Sequence, residues 1–266
     1  MAVGFQKVFR MNLGLSGKRV LITGASQGIG KATVIGFLEE GAHIVMASRG
    51  LDKLNKLSDE LKKKYLNSKI ISHKCDFTEE RDLEDLKSLI EEKFGGIDIV
   101  VANVGDGRSV NDVIPSKEQW DVTWNSNFNT ALFTARTFLP LLESSNGNLL
   151  FVSSIAGVEA FGAPVDYSTA KAAIIALAKN MARKLSSVRI NVIAPGNVYF
   201  KGGAWDQKIM NEPIAVENLI KSSVPMNRFA LPEEIADSII FLCSNRSNFI
   251  TGATLVVDGG QTVGVY

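Results

Sequence analysis

At 266 residues, 45% of them hydrophobic, the chain can bury one large α/β core, and 29 Lys and Arg against 28 Asp and Glu leave no excess charge for nucleic acid or an anionic membrane. Two isolated cysteines (Cys75, Cys243) and two histidines (His43, His73) at the starts of expected strands, none in ligand spacing, argue against a metal site. No apolar run approaches the ~20 residues of a spanning helix and residues 1–16 carry no apolar leader segment, so a cytoplasmic protein is expected.

Residues 1–14 read as an N-terminal extension. From Lys18 onward, apolar runs alternate with amphipathic ones, the pattern of a doubly wound α/β fold with a parallel sheet and helices on both faces. Arg19 to Thr23 is the first expected strand, Gly30 to Glu40 the first helix, His43 to Ala47 the second strand and Leu51 to Leu66 the second helix. Lys69 to Cys75, Ile97 to Ala102, Asn148 to Ser153 and Arg189 to Ala194 supply four more strands. Between them lie helices over Glu79 to Phe94, over Lys117 to Glu143 with an Asn-rich interruption at 125–129, and around Tyr167. Residues 195–230 break the alternation. Pro232 to Cys243 restores a helix, and Thr254 to Val257 completes a seven-stranded sheet. The expectation is one domain over 15–266, with a substrate lid at about 197–229.

Thr23-Gly24-Ala25-Ser26-Gln27-Gly28-Ile29-Gly30 joins the first strand to the first helix. Glycines there allow a tight turn and close approach of the backbone to a pyrophosphate, and the helix N-terminus offers free N–H groups and a positive dipole end. Gly24, Ser26, Gln27, Gly28, Ile29 and Gly30 are the expected contacts. At the end of the second strand an acidic residue would favour a free ribose hydroxyl. This chain has Ser48 and Arg49, a hydroxyl and a guanidinium suited to a 2′-phosphate, so NADP(H) is favoured over NAD(H).

Tyr167 and Lys171, four residues apart in an apolar helical run, stand on one helix face. A nearby cation favours a phenolate, so Lys171 is expected to pull Tyr167 below its usual value near ~10 and fit it for acid/base work. Ser154 can hydrogen-bond the substrate oxygen being protonated. Its neighbour Ser153 is the rival: adjacent strand residues face opposite sides, so only one of the two reaches the site.

With these residues in place, the chain resembles the single-domain short-chain dehydrogenases/reductases from Leu15 to Gly260. Thr23 to Gly30 is similar to the family's TGxxxGxG. Ser154 precedes Tyr167 by thirteen residues, as the family's serine does, and Trp120 followed seven residues later by Asn127 fits the helix carrying its fourth catalytic residue. Ala102-Asn103-Val104-Gly105 resembles the NNAG segment with its first Asn and its Ala replaced. Pro195-Gly196-Asn197-Val198 resembles the segment along the nicotinamide. Arg228 to Leu242, and Ile250 through Gly260, resemble the family's C-terminal helix and strand.

The resemblance implies a Rossmann-type sheet and an NADP(H)-dependent oxidoreductase acting on a carbonyl or alcohol. In it Tyr167 exchanges the proton, Lys171 binds the nicotinamide ribose, Ser154 polarises the carbonyl and Asn127 holds a relay water. It places Asp76 and Phe77 near the adenine, adds Asn103, Val104, Gly105, Pro195, Gly196 and Val198 to the cofactor contacts, and implies a homotetramer or homodimer, packed through the helices over Lys117–Glu143 and Tyr167–Leu185 and through the C-terminal strand. One departure stands out: where the family places a Thr for the nicotinamide carboxamide, Val198 is followed by Tyr199 and Phe200. Either backbone groups or another side chain hold the carboxamide, or the loop is shifted.

Substrate choice is expected in the lid and the loop Glu159 to Gly162. Phe161, Phe200 and Trp205 supply apolar surface there, and Lys201 or Arg108 can meet an anion; the other reading of Trp205 is that it packs the lid onto the body. Acyl thioesters, sugars, steroids and small ketones all stay open. The rival to an enzyme is a non-catalytic dinucleotide-binding or redox-sensing protein, which has no need of all four catalytic positions.

Overall fold

The computed structural model describes residues 11–265. Seven strands, β1 (Arg19–Thr23), β2 (His43–Ser48), β3 (Ile70–Lys74), β4 (Ile99–Ala102), β5 (Asn148–Val152), β6 (Arg189–Pro195) and β7 (Thr254–Val257), pair in parallel in the order β3-β2-β1-β4-β5-β6-β7. The order reverses between β1 and β4. At such a switch point the loops leaving the two strands diverge, and the crevice between them is where this kind of sheet binds ligands.

The helices are α1 (Gly28–Glu39), α2 (Leu51–Lys64), α3 (Glu80–Phe94), α4 (Lys117–Trp124), α5 (Thr130–Ser145), α6 (Val165–Ala182), α7 (Ala204–Asn211), α8 (Pro213–Ser223) and α9 (Pro232–Cys243). Both faces of the sheet are covered, so its central strands read as nearly continuous apolar runs. Val20, Ile22, Ile44 and Met46 join Phe37, Leu54 and Ile239 in one core, whereas Leu21, Val45 and Ala47 join Leu86, Phe138 and Ile174 in the other. This one-residue alternation is the strand pleat seen from its two sides.

Boundaries fall within about two residues of the sequence reading, with informative exceptions. The expected helix from Lys117 to Glu143 is divided into α4, a π-helical turn over Asn125–Asn129, and α5. Residues 195–230 contain α7 and α8, with a small apolar cluster of Val216, Val224 and Phe229 against which Trp205 and Tyr199 pack. His43 opens β2 and its Nδ1 accepts a bond from the Lys69 backbone, but His73 lies near the end of β3 rather than at its start.

Of the expected extension, residues 1–10 lie outside the described residues. Asn12 and Leu13 are tied to the body: Arg246 Nε donates to the Asn12 carbonyl at 2.8 Å and the Asn245 N–H to that of Leu13 at 2.9 Å. No described helix is long and apolar enough to cross a membrane, and no cluster of three or more potential metal ligands occurs among the described residues. Cys75 and Cys243 are buried free thiols, each pushed up to about 12 by burial.

Candidate active site

The strand-to-helix turn after β1 is built to receive an anion. Gly24 (φ +65°) and Gly28 (φ +54°) take left-handed backbone, and a Cβ on Gly30 would strike the Gly24 carbonyl oxygen. Gln27, the residue before α1, makes no capping bond, and the first turn of α1 holds no acidic side chain, so no side chain of the turn itself spends its N–H groups or offsets its positive dipole end. From β4, Asn103 braces the turn: its Nδ2 donates to the Thr23 carbonyl at 3.0 Å, and its N–H donates to Thr23 Oγ1 at 2.9 Å. Val104 packs its Cγ2 on Gly24. The replacements in the ANVG segment thus leave this bracing intact.

At the end of β2 the Ser48 hydroxyl is buried without a hydrogen-bond partner, and Arg49 is exposed with no ion pair among the described residues. A buried hydroxyl without a partner thus stands next in the chain to a guanidinium without an ion pair. Asp76 turns its Oδ1 to the backbone and hydroxyl of Thr78; burial raises its carboxyl, but those bonds and the Arg49 charge outweigh it and hold it below the ordinary range. The Phe77 side chain lies in the core at 2% exposure. Pro195 ends β6. Gly196 passes so close to the tail that a Cβ there would lie 2.5 Å from Gln261 Oε1, and Val198 bridges to Ala230.

The groups expected to do chemistry converge at the start of α6. Ser153 is spent on structure, donating to the Lys171 carbonyl at 2.8 Å. Ser154 opens the 3₁₀ turn Ile155–Gly157, accepts from the Ala156 N–H at 3.1 Å and lies near the Tyr167 hydroxyl, close enough to lower its pKa. Lys171 is 3% exposed; its Nζ donates to the Val152 carbonyl at 3.2 Å and lies 5.7 Å from the Tyr167 ring centroid. Gly105 runs between Lys171 and Asn127, where a Cβ would lie 2.8 Å from Nζ and 3.0 Å from Asn127 Oδ1.

Here the electrostatics reverse the sequence expectation. Burial pushes the Tyr167 phenol up and Asp106 adds to the rise, while the Ser154 hydroxyl pulls the other way; the net shift is upward. Burial lowers Lys171 to about 8. The ammonium lies against the ring, and loss of water around both groups outweighs their attraction.

Asn127 sits inside the π turn at 0% exposure. Its Nδ2 donates to the carbonyls of Asp106 and Thr123, each at 3.0 Å, and its Oδ1 accepts from the Asp106 N–H at 3.1 Å. The extra residue of the π turn points this amide inward, and its bonds fix the loop that carries Asp106 and Gly107 past Tyr167.

Several residues escaped the sequence reading. Asp106 faces Tyr167 and forms an ion pair with Arg108 at 2.6 Å. Buried Asp166 accepts from Ser109 Oγ at 2.5 Å, and Gln119 donates to Ser109 and Thr123, tying the loop and α4 to the first turn of α6. Nothing in these residue types or spacings marked them. The tail is a further case: Gln261 Oε1 accepts from the Asn197 N–H at 2.9 Å, and Glu159 accepts from the backbone of Val263 and Gly264, so the tail joins the loop after Ser154 to the loop after β6.

The expected substrate residues do not gather into one wall. Trp205 meets Phe229 in a tilted ring contact, centroids 4.6 Å apart, inside the small apolar cluster of the lid itself. Phe161 is 37% exposed, and Lys201 is exposed at the lid's root. Phe200 lies against Gly28 of the glycine turn.

Comparison with known proteins adds four findings. A family model described as enoyl-(acyl carrier protein) reductase matches residues 24–262. The 3-oxoacyl-[acyl-carrier-protein] reductase FabG of Thermotoga maritima is 31% identical over 252 residues, 94% of this chain and 99% of that protein. Among solved structures, L-sorbose reductase from Gluconobacter frateurii, complexed with NADPH and L-sorbose, is similar with TM-score 0.86 and 30% identity over 96% of this chain and 100% of that one. A 7α-hydroxysteroid dehydrogenase complexed with NADH and 7-oxo glycochenodeoxycholic acid reaches TM-score 0.85 at 29% identity, covering 95% of this chain and 98% of that one.

Proposed function

The chain belongs to the short-chain dehydrogenase/reductase family and is an NAD(P)-dependent oxidoreductase, and we propose that it is an NADP(H)-dependent carbonyl reductase with Tyr167 as its acid/base. The observation that carries the reading is the convergence of Ser154, Tyr167 and buried Lys171 beside the Gly105–Gly107 loop, at the crevice where the glycine turn also opens. The glycine turn would hold the pyrophosphate, Ser48 and Arg49 the 2′-phosphate, Asp76 the adenine side, and Lys171 the nicotinamide ribose.

When bound, the nicotinamide supplies the hydride. The protein's own residues manage the proton. With its pKa raised, Tyr167 is protonated at neutral pH and donates to the carbonyl oxygen as negative charge develops there. Ser154 orients that oxygen as a fixed donor. Lys171 at about 8 still carries most of its charge at pH 7 and stabilises the tyrosinate left behind. Asn127 spends its amide on the Asp106 backbone, so its role is first to hold this wall in place.

Among the relatives, one was solved with NADPH and another with NADH, so the cofactor choice rests on Ser48 and Arg49. The substrate is a small-molecule ketone or its alcohol, with a 3-oxoacyl thioester and a sugar-type ketose as the leading classes. We place subunit contacts of a homodimer or homotetramer on α4, α5 and α6, where Val122 is 63% exposed, and on the β7 side, where Phe249 is fully exposed.

The test is fluorescence titration with NADPH and NADH side by side, on the wild type and Arg49→Ala, followed by NADPH consumption with a ketose, a 3-oxoacyl thioester and a 7-oxo bile acid. Loss of a charge-assisted bond of about 1.5–3 kcal/mol corresponds to ~10- to 100-fold weaker NADPH binding, with NADH changed less than about twofold. Equal NADPH affinity in both proteins removes Arg49 from the account.

A further inference from the structure

The face of the glycine turn that a pyrophosphate needs is covered by an aromatic ring. A methyl group at Gly28 would lie 2.8 Å from Cε1 and 2.9 Å from Cζ of Phe200; one at Gly203 would lie 2.9 Å from the same two atoms. The ring is therefore a wedge between the turn and the residue that precedes α7, seated in a slot that two glycines leave open. Its backbone is anchored on both sides: the Tyr199 N–H donates to the Ala230 carbonyl at 2.9 Å, and the Gly203 N–H to the Phe200 carbonyl at 3.0 Å. Just beyond, the Gly202 N–H donates to Asp206 Oδ2 at 2.7 Å, and Gly202 (φ +84°) has open space around its Cα.

Gly28 lacks a side chain at the point where a dinucleotide-binding turn lets its backbone meet the pyrophosphate. A phosphate and a benzene ring cannot occupy the same face of one residue, and an anion pressed against the ring would lose water without gaining a donor. We infer that Phe200 sets dinucleotide affinity: its ring leaves the Gly28–Gly203 slot when a pyrophosphate enters, and the start of α7 moves with it. This rests on the dinucleotide reading above. Affinity for pyrophosphate-bearing ligands is then reduced by the fraction of molecules in which the slot is closed, and that reduction is absent for ligands that engage only the Ser48–Arg49 end.

The experiment titrates wild type, Phe200→Ala and Phe200→Thr calorimetrically with three probes: NADPH; 2′-phospho-ADP-ribose, which keeps the pyrophosphate but lacks nicotinamide; and adenosine 2′-monophosphate, which lacks both. Circular dichroism checks that each variant is folded, and the threonine variant stands in should the alanine variant unfold. The expected result is about 3- to 10-fold tighter binding of NADPH and 2′-phospho-ADP-ribose by the variants, with adenosine 2′-monophosphate unchanged. In stopped-flow mixing, the wild-type NADPH association rate levels off with concentration and the variants' rate stays linear. Weaker or unchanged binding of the two pyrophosphate probes by the variants overturns the proposal and makes the ring a wall of the loaded site or a bystander. Failure of all three probes to bind any of the proteins, wild type included, overturns the dinucleotide reading itself.

Discussion

The two walls of the crevice are held by different physics. The wall made by β4, the π turn and the start of α6 is fixed by polar groups aimed inward: Asn103 on Thr23, Asn127 on Asp106, Ser153 on Lys171, Asp166 on Ser109. The opposite wall, from Asn197 to Phe229, is two short helices resting on one small apolar cluster, with Trp205 on Phe229 as its main ring contact. Buried hydrogen-bond networks specify one geometry and penalise departures from it, whereas a thin apolar contact opens at little cost. The first wall suits proton transfer and the second suits admitting ligands. Chemistry and specificity are separated by how each side is built.

The sharpest way to break this comparison is at Lys171, where the rigid wall carries its largest penalty. Its folded value of about 8 lies below its usual 10.5. Between those values the unfolded chain binds the extra proton, so stability rises with pH across that window; below about 8 the whole penalty is present. Lys171→Met is expected to cut turnover at least ~100-fold yet to stabilise the ligand-free protein by about 2 kcal/mol at pH 7. Urea denaturation should show that gain shrinking as pH goes from 8 toward 10.5. A Lys171→Met protein less stable than wild type at pH 7 would mean that the bond to Val152 outweighs the charge burial. A smaller effect is expected on the soft wall. Removing the Trp205–Phe229 contact, of about 1 kcal/mol beyond its area, should raise KM for the ketone ~3- to 5-fold in Trp205→Ala. There kcat should hold steady while amide exchange speeds up across α7 and α8. A fall in kcat with KM unchanged would place Trp205 in the catalytic wall instead.

The same division explains what was legible in the sequence. β1, β2, β4, β5 and β6 announced themselves because strands buried on both faces are largely apolar, and the glycine turn because backbone approach leaves a residue-type signature. Tyr167, Lys171 and Ser154 were legible because their spacing, together with the glycine turn and the other ordered motifs, matches the family's pattern. The Asn-rich stretch at 125–129 was visible as an interruption, but nothing in the letters told that it winds as a π turn and sends Asn127 inward. The direction of the Tyr167 shift was missed for a physical reason: helix spacing reports proximity, while burial decides which charge form survives, and burial is a property of the whole fold. The lid was the least legible part. Trp205 read equally well as substrate wall or packing, and Phe200 as a wall or as a departure at the carboxamide position; their neighbours, Phe229 for the first and Gly28 for the second, left no mark in the letters.

Tyr167 is assigned as the group that delivers the proton to the carbonyl oxygen. Single-turnover oxidation of NADPH by Tyr167→Phe, mixed with whichever ketone the wild type reduces fastest, tests it directly. The account predicts a rate lower by about 10³-fold with the NADPH dissociation constant within about twofold of wild type. Full single-turnover rate in Tyr167→Phe would contradict it and move the acid to another group at the crevice.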